Sequence, residues 1–447
     1  MNEPSPSPII TLEPAPKRWA DLLRTAPARP EATPLRAALG LPTDRPVVMT
    51  GHQAEFWHAG ILAKHIAACA LADGAGAYAA HIVVDSDETD PGAVRMPRSS
   101  DDELSAHVVH LLPTPPAGTP PACLPPAPPA RHEAPPTLPS VVEGLAAIAL
   151  ALRRHAGAAS LGAQMGLALT ELMRPWAPLP APVFSSRLSG TAAFRAIVER
   201  MAQDPGACVR AHNAAALAVP EARVAPLAER RDGAARWELP LWRLRPGRAR
   251  ARVFADQLGD IPAEELAPRA LLLTGFLRLY ACDLFIHGAG GAVYDRITDR
   301  WLPEWLGALP APTAMASATL TLPLQPGSTP SVADIDRAAW TSHHARHDPS
   351  LVGDEPGARE KASIVERIRA ARSAGQGALP LYRELQAFLT DYRRRHADAI
   401  ERLHAQALSF SAARARAALA ADRTWPFPLH DARALDALAA RVRKEFP

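Results

Sequence analysis

Between Pro46 and Val84 the chain alternates in a way that leaves few folds open. Pro46-Val47-Val48-Met49-Thr50 is a short apolar run that ends at Gly51, and it predicts a buried strand entering a turn. Residues 56–71 then place Ile61, Leu62, His65, Ile66, Cys69 and Ala70 at helical spacing. Residues 79–84 form a second β-rich run, closed by the acidic string Asp85-Ser86-Asp87-Glu88-Thr89-Asp90-Pro91. Strand, turn, helix and strand in that order make a βαβ unit, which requires parallel strands and a right-handed crossover. The predicted fold class is therefore α/β, with a parallel sheet at its core.

The remaining segments attach to that unit. Residues 1–45 read as an N-terminal arm, 46–329 as the core with its insertions, and 330–447 as a helical coiled-coil region. Prolines crowd residues 113–139, which predicts an extended surface connection outside the core. Ser140 reads as the N-cap of a helix over 141–155. Further helices are expected over 161–174 and 191–203, the second stopped by Pro205-Gly206, with a core strand over 182–186. Trp237, Leu239, Leu241, Trp242 and Leu244 largely alternate before a turn at Pro246-Gly247, predicting an antiparallel hairpin over 236–254. A helix over 267–279, a strand over 283–287, a glycine turn at 288–291, a helix over 294–305 and a strand over 318–324 complete the core. Leu381, Leu385, Phe388, Tyr392, Arg395, Ala399 and Leu403 step alternately by four and three. That register describes a coiled-coil arm with Ile364 and Ile368 on the partner helix, and it makes a homodimer the expected assembly.

Charge and cysteine usage exclude several classes. Lys and Arg together number 49 against 46 acids, and aromatic residues make up 5%. Neither a basic excess nor a supply of stacking rings suits a nucleic-acid partner. No stretch approaches the roughly 18 apolar residues of a membrane span, and no secretory signal is evident. The four cysteines, Cys69, Cys123, Cys208 and Cys282, lack CxxC spacing. Reduced thiols in a cytoplasmic protein without a zinc site are expected. His343, His344 and His347 read as a solvated linker rather than as metal ligands.

Three clusters carry candidate chemistry. In Thr50-Gly51-His52-Gln53 a glycine at a strand end lets a ligand approach the backbone, and the following helix offers free N–H groups to an anion. His52, Gln53, His58, Gly60 and Lys64 lie at that mouth. The second cluster is Asp85, Asp87, Glu88 and Asp90, whose mutual repulsion calls for a cation, an amine or arginines. The third runs from His287 through Gly288, Gly290 and Gly291 to Tyr294 and Asp295, with the shape of a phosphate- or substrate-contacting loop. All three follow strands, so a single ligand site at one rim of the sheet is predicted. Glu238, Pro240 and Trp242 on the hairpin are weaker candidates for reaching it.

These clusters, in this order and followed by a coiled-coil arm, resemble the bacillithiol biosynthesis cysteine-adding enzyme family. In that family a strand ends in Thr-Gly-Gln-Gln before a Gly-Pro-containing helix; here Thr50-Gly51-His52-Gln53 and Ala59-Gly60 hold those places. Its Glu-Asp-His-Asp string is similar to Asp87-Glu88-Thr89-Asp90, which lacks the histidine. Its Gly-Pro-Gly-Glu loop before an Ala-Tyr pair is similar to Gly288-Ala289-Gly290-Gly291 before Val293-Tyr294. The resemblance implies a Rossmann-like core related to the nucleotide-binding half of class I aminoacyl-tRNA synthetases, with helical insertions. It also implies ligation of cysteine to an amino-sugar malate conjugate through an activated carboxyl.

On the ligase reading the partner is a small molecule, and ATP or another nucleotide is the expected cofactor. Gly51 and the helix starting near Phe56 take the anionic group, with Gln53, Gly60 and Lys64 beside it. His52 or His58 moves a proton, Asp87 and Asp90 hold and deprotonate the amine, and Asp85 and Glu88 are among the residues that bind substrate or nucleotide. The stretch from His287 to Tyr294 closes the far wall, with Tyr294 and Asp295 as polar contacts. Two other readings stand beside this one. One is a non-catalytic scaffold with a degenerate core that dimerises through its coiled coil; the other is a sugar- or nucleotidyltransferase.

Overall fold

The computed structural model describes residues 8–26, 32–100, 103–131, 137–230, 236–324 and 330–446. The chain forms two units: residues 1–102, 106–323 and 422–447 make the larger, and 103–105 with 324–421 make the smaller.

The larger unit is mixed α/β around a six-stranded, mostly parallel sheet. Along the chain its strands are β1 (Ile9–Glu13), β2 (Val47–Gln53), β3 (Tyr78–Val84), β4 (Val183–Phe184), β5 (Leu284–His287) and β6 (Thr313–Thr319). Their spatial order is β1-β6-β5-β2-β3-β4. All neighbours are parallel except β1, which runs against β6 with Thr11 opposite Ser317. Thr50 Oγ donates to the Ile286 carbonyl at 2.8 Å and ties β2 to β5.

The chain leaves β2 in one direction, to β3 and β4, and later fills the other side with β5 and β6. Such a reversal opens a crevice beyond the carboxyl ends of the central strands. The helix Ala59–Ala75 that links β2 to β3 is buried along most of its length. On the opposite face Met49, Ile82 and Phe285 pack with Leu272, Phe276 and Trp301 in the main hydrophobic core.

Several expectations are corrected. The described residues within 1–45 are not a free arm, because β1 extends the sheet and Trp19 is fully buried with its ring 5.2 Å from Phe446. Arg36 reinforces this attachment through Asp283 at 2.7 Å. Residues 422–447 belong to the larger unit rather than to a coiled coil, with Trp425, Phe427 and Leu429 all excluded from water. The proline-rich 113–139 segment packs closely where it is described. Thr119 and Pro121 are buried, and the Ala122 N–H donates to the Asp85 carbonyl at 3.0 Å; residues 132–136 of that segment lie outside the described residues.

Ser140 is not an N-cap, since Pro139 occupies the first position of the helix Pro139–Arg154, where its missing N–H costs nothing. Pro205 begins a new helix, Pro205–Leu217, as well as ending the one before it. The last strand lies at Thr313–Thr319 rather than over 318–324. Its alternating small residues, Ala314, Ala316 and Ala318, are weak strand formers that only the sheet context selects. The predicted hairpin is present, Arg236–Arg243 pairing antiparallel with Ala251–Phe254, and Leu266–Pro268 adds a further strand.

The smaller unit contains the helices Val332–Ala345, Glu355–Ser373, Leu379–Arg395 and Ala397–Ala420. Ile364 and Ile368 pack with Phe388, Leu389 and Tyr392, as the spacing predicts. The expected continuous run through Leu403 is interrupted at His396, whose Nε2 lies 3.0 Å from the Asp354 carboxylate. His343 and His344 sit on a helix rather than in a linker. Among the described residues no group of three or more His, Cys, Asp or Glu could hold a metal ion. No described helix is long and apolar enough to cross a membrane.

Candidate functional site

At the carboxyl ends of β2, β3 and β5 lies a cleft of about 670 Å³. β2 contributes Gly51, His52 and Gln53; the turn after β3 contributes Ser86 and Asp87; His287, residues 288–291 and Tyr294 form the third wall. The three turns singled out in the sequence thus face one space.

Gly51 is required by strand packing. A Cβ there would lie 2.2 Å from Ile82 Cγ2 and 2.7 Å from the Ile82 carbonyl oxygen. Lys64, buried on the following helix, donates from Nζ to the Gly51 carbonyl. Burial pushes its pKa from 10.5 down to about 7, since the charged form loses its hydration. His52 Nδ1 accepts the Gln53 backbone N–H at 2.8 Å, and its ring stacks on Trp57. Burial, reinforced by Lys64, pushes His52 down to about 3.

His58 is the N-cap of the helix Ala59–Ala75, accepting the Gly60 N–H at 3.0 Å through Nδ1. Burial, with Arg423 and Lys64 adding repulsion, lowers its pKa to about 4. Both imidazoles are therefore neutral near pH 7. Gly60 does not line the cleft; a Cβ there would strike the Ala318 carbonyl at 2.7 Å and the His58 ring.

Of the four acidic residues, only Asp87 reaches the cleft, and it does so paired with Arg250. Asp85 is buried and staples the ends of β3 and β4. It accepts from Ser185 Oγ at 2.9 Å, the Ser186 N–H at 2.9 Å and Ser186 Oγ at 2.6 Å. Burial still holds its carboxyl above the ordinary value, although these hydrogen bonds oppose the shift. Glu88 accepts the Gly118 N–H at 2.8 Å, with Arg250 Nη2 3.8 Å away. Asp90 turns away from the cleft, accepting the Gly92 N–H at 3.1 Å and lying 3.2 Å from His110. The expected shared carboxylate site is therefore dispersed, because each acid has its own partner.

The third turn is helical rather than a loop. Gly288 is the N-cap of the helix Ala289–Leu306, and Tyr294 and Asp295 lie one turn inside it. Asp295 does not contact the cleft; it backs His287. His287 Nε2 lies 2.9 Å from Asp295 Oδ2, and the carboxylate also receives Thr274 Oγ at 2.8 Å and Arg278 Nη1 at 2.5 Å. Burial alone would raise the Asp295 pKa, but His287 and Arg278 together hold it well below the usual carboxylate range. With its proton assigned to Nε2 by this bond, His287 keeps an acceptor lone pair at Nδ1. A carboxylate that orients an imidazole in this way prepares it as a proton acceptor.

Arg278 is itself buried and also donates to Asp299 at 2.5 Å and to the Ala311 carbonyl at 2.7 Å. Replacing it with Met should cost about 3–5 kcal/mol of stability, because two carboxylates lose their cation and Asp295 remains desolvated. Adding Asp295→Leu should recover part of that loss. Denaturant midpoints of the two variants check this, and an Arg278→Met midpoint equal to wild type would refute the buried pairing.

The sequence did not single out Arg250, Arg269 or Arg423, all of which line the cleft. Trp242, a weaker sequence candidate, organises two of them: the Arg250 and Arg269 guanidinium groups lie 4.3 Å and 4.1 Å from its ring. Glu238, buried beneath, accepts from Arg269 at 2.8 Å. The indication in the sequence was the hairpin itself, whose alternation places Glu238 and Trp242 beside one another in space. Nothing in the sequence near Arg423 points to the cleft. A comparison of the chain with protein-family models finds no match, and a comparison with curated proteins finds none.

Proposed function

We propose that the chain is a carbon–nitrogen ligase, joining a small amine to a carboxylate such as that of cysteine after activation by a nucleotide. Its core is read as Rossmann-like, and the helices Glu355–Ser373 and Leu379–Arg395 as a coiled-coil hairpin through which a homodimer forms. The observation that carries the reading is the meeting of three strand-end turns around one cleft, with a carboxylate-backed imidazole at His287. Lys64, Arg250, Arg269 and Arg423 make the cleft suitable for an anionic substrate. The resemblance to the bacillithiol cysteine-adding enzymes favours cysteine and an amino-sugar conjugate as the pair to be joined.

In this scheme Arg250 and Arg269 orient the anionic substrate. The amine nitrogen bonds to the acyl carbon, the bond from that carbon to the phosphoryl-bearing oxygen breaks, and the leaving group departs with the electron pair. His287 Nδ1 accepts the proton that the amine loses. His52 and His58, neutral and engaged through Nδ1, serve as structure rather than as acids. Asp87 holds Arg250 in place rather than holding the amine.

The 447-residue chain, incubated with ATP, cysteine and an amino-sugar malate conjugate, should yield the amide by mass spectrometry. Its melting temperature should also rise saturably with at least one of the three. Absence of both responses would instead favour the scaffold reading, and a melting shift with a sugar nucleotide alone would favour a transferase.

A further inference from the structure

The cations that line the cleft fall into two pairs, and only one pair is neutralised. Arg250 is paired with Asp87, and Arg269 with the buried Glu238. Lys64 and Arg423 have no acidic partner among the described residues; the first donates to the Gly51 carbonyl and the second to the Ala318 carbonyl at 3.4 Å. Asp422, next in sequence to Arg423, is held by Arg95 and Thr424 instead. Enclosed charges are ordinarily paired, because each loses its hydration. Two that are not, lining one cleft, indicate that their counter-charge arrives with a ligand.

Lys64 makes the case most sharply. Only four of the 49 basic residues are lysine, and Lys64 alone among the four is buried, at 4% exposure. Its ammonium has three N–H bonds, of which the Gly51 carbonyl takes one. A tie to a single carbonyl does not call for a full charge. Burial with no acid to offset it is what brings its pKa down to about 7, and an anion beside it would restore the charged form. Arg423 shares this corner, since both cations act on the His58 ring and lower its pKa. His58 adds a third donor. Its Nδ1 accepts the Gly60 N–H, so the neutral ring carries its proton on Nε2, which has no partner among the described residues.

We propose that Lys64, Arg423 and the His58 Nε2–H form an anion subsite that takes a carboxylate or phosphoryl group of the ligand, apart from the Arg250–Arg269 pair on Trp242. The donors are side chains from the helix Ala59–Ala75, from its N-cap and from the returning segment 422–447. Two of them carry a full charge, which makes their hydrogen bonds to an anion the strong, charge-assisted kind. Arg250 and Arg269 form a separate group: they stack on the Trp242 ring, and Arg250 is among the charges that act on Arg269. The inference deepens the ligation reading, on which the bearer of the anionic group rests. The amine-bearing substrate and the activated acid are separate anions on that reading, and two subsites let both be present at once.

The test is calorimetric titration of the 447-residue chain with sodium phosphate and with sodium acetate, each against sodium chloride at equal ionic strength. Wild type should bind at least one of the two saturably, and the tighter names the source of the group. Lys64→Met should weaken that binding at least about tenfold, the loss of one charge-assisted hydrogen bond. The melting temperature of the unliganded variant should stay level or rise, because a desolvated charge without an acidic partner has been removed. Arg423→Gln should also weaken binding by about tenfold, and it decides the matter if Lys64→Met does not fold. No saturable binding by wild type, or wild-type affinity in either folded variant, would overturn the subsite. Anion binding that both variants lose, without amide formation, would leave the subsite standing and remove the ligase; amide formation with Arg423→Gln binding as tightly as wild type would do the reverse.

Discussion

Lowering the pH toward 4.5 should unfold the larger unit through its buried neutral histidines. His52 is held near 3, and His58, His81 and His430 near 4, each mainly by burial. In the unfolded chain each takes up a proton near the ordinary value of 6.5. The stability these neutral rings confer is complete above pH 6.5 and falls as pH drops toward the folded-state values, because only the unfolded chain gains protons in that window. Each group loses about 1.4 kcal/mol per pH unit. Four together remove on the order of 10 kcal/mol by pH 4.5, comparable with the whole stability of an ordinary domain. Tryptophan fluorescence against pH should show a midpoint near pH 5. A folded baseline that persists to pH 3.5 would mean that these rings are protonated in the native state.

Replacing His287 with Gln should lower kcat by about 10²–10⁴-fold in the amide-forming assay, the usual contribution of a positioned base. KM should change little, since the arginines that orient the anionic substrate remain. The fold should persist, because Asp295 keeps both Arg278 and Thr274 as partners. Turnover at the wild-type level would remove His287 from the chemistry and return attention to Lys64, whose pKa burial lowers to about 7.

The part of the fold that was legible is the part written in periodicity. Residues 46–84 announce β2, its helix and β3 through a change from short apolar run to helical spacing and back, and three strand-end turns follow from a parallel sheet. The illegible parts depend on distant partners. Ile9 to Glu13 is a short run between prolines that becomes a strand only because β6 arrives some 300 residues later, with Ile9 opposite Thr319. His58 escaped notice as a cap because Ser, Thr, Asp and Asn usually take that position. Residues 288–291 look like a loop by propensity, yet they open a helix whose later residues Ile297, Trp301 and Leu302 are locked in the core. Arg250 and Arg269 became visible only when the hairpin brought both to Trp242.

The interleaving of the two units sets an order on synthesis. The helix Ala59–Ala75 emerges early from the ribosome, but one of its neighbours, the helix Ala432–Arg443, is translated only after the whole of 324–421. Until that segment arrives, the helices Ala59–Ala75 and Pro139–Arg154 must wait with apolar flank uncovered, while the intervening helices are free to collapse by themselves. Chaperone demand should therefore peak late in translation and end abruptly as the returning segment docks.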